Sequence, residues 1–244
     1  MSSNASRKLI TALRKRLANE ANPAKAPAMQ AYMKSQMPYL GISTVPLRKI
    51  CKEVFEQFPP ISFEEFQDAI LTLWRTAKFR EERYAAIELC GQKSYNQYQT
   101  LRMLPVYQEM IITGAWWDYV DAIAAHRLGE LLQRHPKQMS RKMRAWSRSK
   151  NLWLRRSAIL CQLTFKEKTD LRLLYDCIEP AIGEKEFFLR KAIGWALRQH
   201  AWTDSDEVIR YVNENKSRLS SLSIREALKN CASRPKAAKG KSRA

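Results

Sequence analysis

From Arg7 onward, apolar residues recur three and four positions apart in nearly every segment, and no β-branched run alternates for a useful length. This periodicity predicts an all-α chain. The helices are expected near Arg7–Ala21, Ala24–Ser35, Pro46–Phe58, Phe63–Ala77, Arg80–Ser94, Tyr98–Thr113, Trp116–Arg134, Pro136–Ser149, Leu152–Lys166, Asp170–Ile182, Lys185–Ala201, Asp204–Lys216 and Ser223–Cys231. Start signals support several of them. Pro46 and Pro136 suit a first turn, Ser62 stands before Phe63 with Glu65 three residues on, and Thr203 stands before Asp204 with Asp206 three on.

An Ala-Ile pair recurs at Ala86-Ile87, Ala122-Ile123, Ala158-Ile159 and Ala192-Ile193, at intervals of 36, 36 and 34 residues. Such a period holds two helices, which is the signature of an α-solenoid whose inner helices line one concave surface. The small Ala lets helices approach and the Ile fills the groove. With each Ala as zero, Trp117 lies at minus five, Asp121 at minus one, Arg156 at minus two, Trp195 at plus three and Arg198 at plus six. At about 100° per residue these five fall within an arc of about 140°, roughly opposite the Ala-Ile pair, so they can share one surface. Position minus five is also Trp153 and Phe187, so Trp117 can equally be a packing residue common to the repeats.

Chemistry concentrates in Trp116-Trp117-Asp118-Tyr119-Val120-Asp121-Ala122-Ile123. Trp117 and Asp121 are four residues apart and therefore stack on one helix face, an aromatic plate beside an anion. That anion stands in a strongly basic protein. The 244 residues carry 43 Lys plus Arg against 24 Asp plus Glu, a formal charge of +19, and 45% of the chain is hydrophobic, ample for a core. A polyanionic partner is expected, nucleic acid first. No run is apolar enough to span a bilayer, and the N-terminus has no signal-peptide pattern, so a cytoplasmic protein is expected.

Five scattered cysteines (Cys51, Cys90, Cys161, Cys177, Cys231) read as buried thiols in a reducing compartment. The three histidines form no metal-binding spacing and the seven glycines no nucleotide loop, so neither a metal nor a cofactor is expected. Between Arg134 and Arg156 nine Lys or Arg, Arg148 and Lys150 among them, occur without an Asp or Glu, which marks a phosphate-facing candidate. Residues 232–244 form a basic, apolar-poor tail expected to be disordered, leaving 1–231 as the solenoid domain.

Together, Tyr32-Met33-Lys34, Leu40-Gly41-Ile42, Trp116 to Asp121, Trp153 to Leu160 and Glu186 to Arg198 resemble the AlkD-type alkylpurine DNA glycosylases, over about residues 9 to 231. The resemblance implies a right-handed solenoid of stacked HEAT-like helix pairs with a concave basic groove. The implied activity is excision of N3- and N7-alkylated purines from duplex DNA by a monomer, without flipping the base. By motif position it assigns Asp121 as the catalytic carboxylate, Trp117 and Trp195 as its aromatic partners, Arg156 and Arg198 as phosphate contacts, and Tyr32 as a further DNA contact. The chemistry suits those residues, because loss of a cationic base leaves positive charge on the sugar that a carboxylate and indole faces stabilise. Two rivals stand beside it: a solenoid that binds damaged or structured DNA without breaking a bond, and an adaptor for acidic peptides.

Overall fold

The computed structural model describes residues 4–231, which are helical with no strand among them. They divide into two compact units, one ending at Thr113 and the other beginning at Gly114. The expected tail lies outside the described residues.

The first unit holds α1 (Asn4–Asn19), α2 (Ala26–Met33), α3 (Thr44–Gln57), α4 (Phe63–Arg75) and α5 (Arg80–Cys90), with α6 (Leu104–Gly114) running to the boundary. Helix α1 packs on α3 and α4, and both of these pack on α5. The three- and four-residue spacing explains how: Leu9, Leu13 and Leu17 of α1 are all but excluded from water, each worth about 1.5–3 kcal/mol of transfer free energy. Ser62 caps α4 as its position suggested, accepting from the Glu65 amide at 3.1 Å while Glu65 returns a carboxylate oxygen to the Ile61 amide. The segment between α2 and α3 is tied down by Glu81, whose carboxylate accepts from the amides of Leu40, Gly41 and Ile42. Gly41 sits at φ +84 with the Asn22 carbonyl where a Cβ would lie, so only glycine fits.

In the second unit α7 (Trp117–Ala122) runs through π-helical turns at Ile123–Leu128 into α8 (Gly129–Arg134), so the single expected helix is continuous but locally widened. There follow α9 (Pro136–Ser147), α10 (Leu152–Leu160), α11 (Leu171–Ile178), α12 (Phe187–His200), α13 (Ser205–Glu214) and α14 (Ser221–Ala227). Helices α7, α10, α12 and α14 pack in a row, each against the next, and α8, α9 and α11 follow one another in the same way. This stacking of helix pairs is the helical solenoid that the repeat anticipates. The Ala-Ile pairs of α10 and α12 are buried in it, while Ala122 is only half-buried.

Several boundaries differ from the expected ones. The helix expected from Tyr98 begins at Leu104, because Pro105 has no amide to donate and suits a first turn; tighter 3-10 turns precede it. The one expected to reach Lys166 stops at Leu160, and Lys166 itself is left-handed at φ +53. For α13 the cap is Asp204, which accepts from the Glu207 amide at 2.9 Å, one residue beyond the expected Thr203. Four of the cysteines are buried and free, and Cys231 is half-buried.

Candidate DNA-processing cleft

The start of α7 sets the site. Ala115 is left-handed at φ +45 and Trp116 extended, so the chain turns sharply and the helix opens at Trp117, one turn before Asp121. The Trp116 ring packs on Trp153 of α10 and Phe188 of α12, at centroid distances of 6.3 and 5.6 Å, and those two rings meet at 5.0 Å. Three helices thus share one aromatic floor, which fixes their register.

Above this floor Arg156 reaches from α10 to α7. Its Nε and Nη2 each donate at 2.7 Å to one oxygen of Asp121, and its Nη1 donates to the Phe188 carbonyl at 2.5 Å. Arg156 is only 4% exposed. A planar guanidinium clamped this way cannot rotate without losing charge-assisted bonds, so the carboxylate plane is fixed too. The expectation of an open, phosphate-facing Arg156 thus meets a nearly enclosed one, whose partner is the carboxylate one repeat away. Burial raises the Asp121 carboxyl above the usual carboxylate range; Arg156 opposes the rise and nearby Asp118 adds to it.

Asp121, Trp117, Arg156, Trp195 and Arg198 line a single open cleft of about 310 Å³. The five residues expected on one face are therefore brought together. Phe187, Phe188, Lys191 and Glu226 complete the lining. A second recess of about 320 Å³ is also lined by Asp121 and Trp195, together with His126, Thr164 and Gln199. At minus five the repeats diverge: Trp153 is 8% exposed in the aromatic floor, Trp117 is half-buried on the cleft and Phe187 is 48% exposed.

Arg198 also has a carboxylate partner. Glu226 of α14 accepts from Arg198 Nη1 at 2.8 Å, lies 3.1 Å from Lys191 Nζ, and accepts from Lys229 Nζ at 2.6 Å. Sequence reasoning missed Glu226 and Lys191, although the repeat carried a signal. Ala227 lies 35 residues after Ala192, so Glu226 holds in the last helix pair the minus-one position that Asp121 holds in α7.

The basic stretch is less free than its composition suggests. Arg134, Arg144, Arg155 and Arg156 pair with Glu130, Asp176, Glu184 and Asp121. Arg148 and Lys150 lie exposed in the turn after α9, pair with no carboxylate among the described residues, and do not line the cleft. Tyr32 belongs to the first unit, at the end of α2, and is 79% exposed. Among the described residues no group of three His, Cys, Asp or Glu is placed to hold a metal ion.

The model of the DNA alkylation repair enzymes matches residues 13–231. The chain belongs to that AlkD-like family. A solved structure, that of a predicted DNA alkylation repair enzyme from Enterococcus faecalis, is similar to it at a TM-score of 0.78 and 31% identity, covering 88% of this chain and 98% of that one. A comparison with curated proteins found no match. Membership places the chain in a DNA repair family, and both family and fold agree with the resemblance carried by its motifs.

Proposed function

We propose that this member of the DNA alkylation repair family is a glycosylase that hydrolyses the N-glycosidic bond of N3- and N7-alkylated purines in duplex DNA. One observation carries the reading: a fixed carboxylate, Asp121, borders an open cleft between the half-buried rings of Trp117 and Trp195. Arg156 occupies one edge of that carboxylate, which leaves lone pairs for the cleft. When the C1′–N bond breaks, its electrons neutralise the cationic base and positive charge develops on the deoxyribose. Asp121 stabilises that charge and orients the water that attacks C1′, the water's proton passing to the carboxylate or to solvent. No acid is needed for the leaving base. The indole faces favour the same cation, and an open cleft suits a lesion approached within the duplex rather than extruded into a closed pocket. Arg198 supplies a phosphate contact, Arg156 holds Asp121 in place, and the exposed Arg148, Lys150 and Tyr32 add contacts to the DNA backbone.

The test is single-turnover release of 7-methylguanine from an alkylated duplex. Release by the wild-type protein and its loss in Asp121→Asn are expected. Tight binding of damaged duplex with no released base would overturn the enzyme reading in favour of a non-catalytic binder.

A further inference from the structure

Glu226 is a carboxylate withdrawn from solvent, 4% exposed, yet it touches three cations. Its two oxygens cannot neutralise three positive charges, and three cations against one carboxylate leave the group a net charge of +2. The cations keep donors to spare, since each ammonium has three and the guanidinium five. They also keep access to solvent: the side chains of Arg198, Lys191 and Lys229 are 27%, 39% and 48% exposed, against 5% for Glu226. Arg156 beside Asp121 is the reverse case, one cation matched to one carboxylate and 5% exposed. Three members of the group, Lys191, Arg198 and Glu226, line the same cleft as Asp121 and Trp195.

The backbone is shaped to build this group. At Gly194 of α12 a Cβ would meet the Cβ of Glu226 at 2.5 Å and the Ser223 carbonyl at 2.9 Å. Helix α14 therefore lies against α12 at a distance only glycine allows, which drives the Glu226 side chain between Lys191 and Arg198. The Ser223 hydroxyl donates to the Arg190 carbonyl at 2.9 Å and pins the same crossing. Lys229 holds the Glu226 carboxyl below its usual range, with Lys191 acting in the same sense, so the carboxylate stays ionised where the cations need it.

We propose that Lys191, Lys229 and Arg198, organised by Glu226, form a backbone-phosphate site at the C-terminal edge of the cleft, with Glu226 as its positioning residue. The inference rests on the reading of the cleft as a DNA site and extends it by two phosphate-binding residues and the anion that aims them. The ligand is a phosphodiester of duplex DNA. Each non-bridging oxygen can accept from a cation whose other donor is committed to Glu226, so little side-chain freedom is left to lose on binding.

A counter-charge and a positioning group predict opposite signs. If Glu226 only offsets charge, Glu226→Gln removes one negative charge from a polyanion site and must tighten binding and steepen its salt dependence. If it positions the cations, the same change releases them and flattens the salt dependence although net charge has risen. The experiment measures the affinity of the full chain for an undamaged duplex between about 50 and 200 mM salt. Lys191→Ala and Lys229→Ala are each expected to flatten the logarithmic slope by about 0.9, so that about threefold less affinity is lost over that range. Glu226→Gln is expected to flatten it by at least as much, and Glu226→Asp to recover part of the loss. An unchanged or steeper slope for Glu226→Gln, or unchanged slopes for both lysine variants, overturns the proposal. Should Glu226→Gln fail to fold, the two lysine variants, whose side chains are 39% and 48% exposed, decide it alone. A wild-type protein that releases no methylated base sinks the glycosylase reading without touching these slopes, so the two failures are distinguishable.

Discussion

Glu81 in the first unit and Asp121 in the second are both carboxylates withdrawn from water, and they are satisfied in opposite ways. Glu81 is fully buried, and its oxygens are taken up by three backbone amides within 3.1 Å. Three of its roughly four acceptor positions are used on its own chain, and it lines neither the cleft nor the recess that open beside Asp121. Asp121 is held on one edge by one guanidinium and borders two recesses. The lesson is that burial of a carboxylate says little about function. What matters is whether lone pairs remain that face space a substrate can enter.

The comparison breaks first at Arg156. Arg156→Ala would leave the Asp121 carboxylate without its cation, and loss of one partner of a buried pair costs about 3–5 kcal/mol. Urea or thermal melts measure it. A loss below about 1 kcal/mol, the range of solvent-exposed pairs, would show that Asp121 is not withdrawn from water at all.

Next in size is the rate. In folded Asp121→Asn protein, single-turnover release of 7-methylguanine should fall about a hundred- to thousandfold, about 2.7–4 kcal/mol of barrier. The neutral amide would also strand Arg156, so this variant loses stability as well, and a melt alone cannot separate a catalytic from a structural role. The double variant Asp121→Asn with Arg156→Met can. Removing both charges together should restore much of the stability lost by either single change, because a buried pair is replaceable by apolar packing. The rate should stay low. A double variant that regains both stability and activity would reduce Asp121 to a structural ion-pair partner.

How much of this was legible beforehand follows from where each signal lives. Helix existence and the shared face of Trp117, Asp121, Arg156, Trp195 and Arg198 are periodic facts, and periodicity is read directly from the chain. Partners are tertiary facts. Asp121 at minus one and Arg156 at minus two of consecutive repeats are neighbours only because α7 and α10 pack side by side; from sequence both looked like independent groups facing DNA. Glu226 was missed because Ala227-Leu228 replaces the Ala-Ile marker, and Glu81 because three successive amides converging on it depend on the fold of residues 34–43. The count of basic residues between Arg134 and Arg156 overstated the free charge for a related reason, since Asp121, Asp176 and Glu184 come from distant parts of the chain and Glu130 stands just before the stretch.

On the other side of the comparison the smaller change is Glu81→Gln. Its Oε1 accepts from both Gly41 and Ile42, and its Oε2 from Leu40. A glutamine keeps one acceptor and turns an amide group against the remaining N–H, which costs about 1–3 kcal/mol for the stranded donor. Denaturant melts should register that loss. No loss would mean that water reaches residues 40–42 and that Glu81 is no more sealed than Asp121.

The smallest effect at neutral pH, and the one that sharpens the comparison most, is acid titration. Because burial raises the Asp121 carboxyl, its protonation begins at higher pH than for an ordinary aspartate, and base release should decline as pH falls through that raised value. Stability at this residue moves the other way. A carboxyl whose folded value lies above its unfolded one binds its proton more tightly when folded, so it favours folding at low pH and loses that contribution as pH rises through the folded value. Glu226 has the opposite sign: its carboxyl is lowered, so its contribution is present above the unfolded value and is lost only as pH falls through the folded one. Mild acid should therefore silence Asp121 while the cations around Glu226 remain organised, and duplex binding should outlast catalysis. Asp118 adds to the rise at Asp121, so Asp118→Asn should move the acidic limb of the rate profile to lower pH with little change in the plateau. Spontaneous depurination is subtracted with the Asp121→Asn protein as blank. A limb that stays in place in Asp118→Asn, or binding that fails at the same pH as the rate, would show that the group titrating in catalysis is not Asp121.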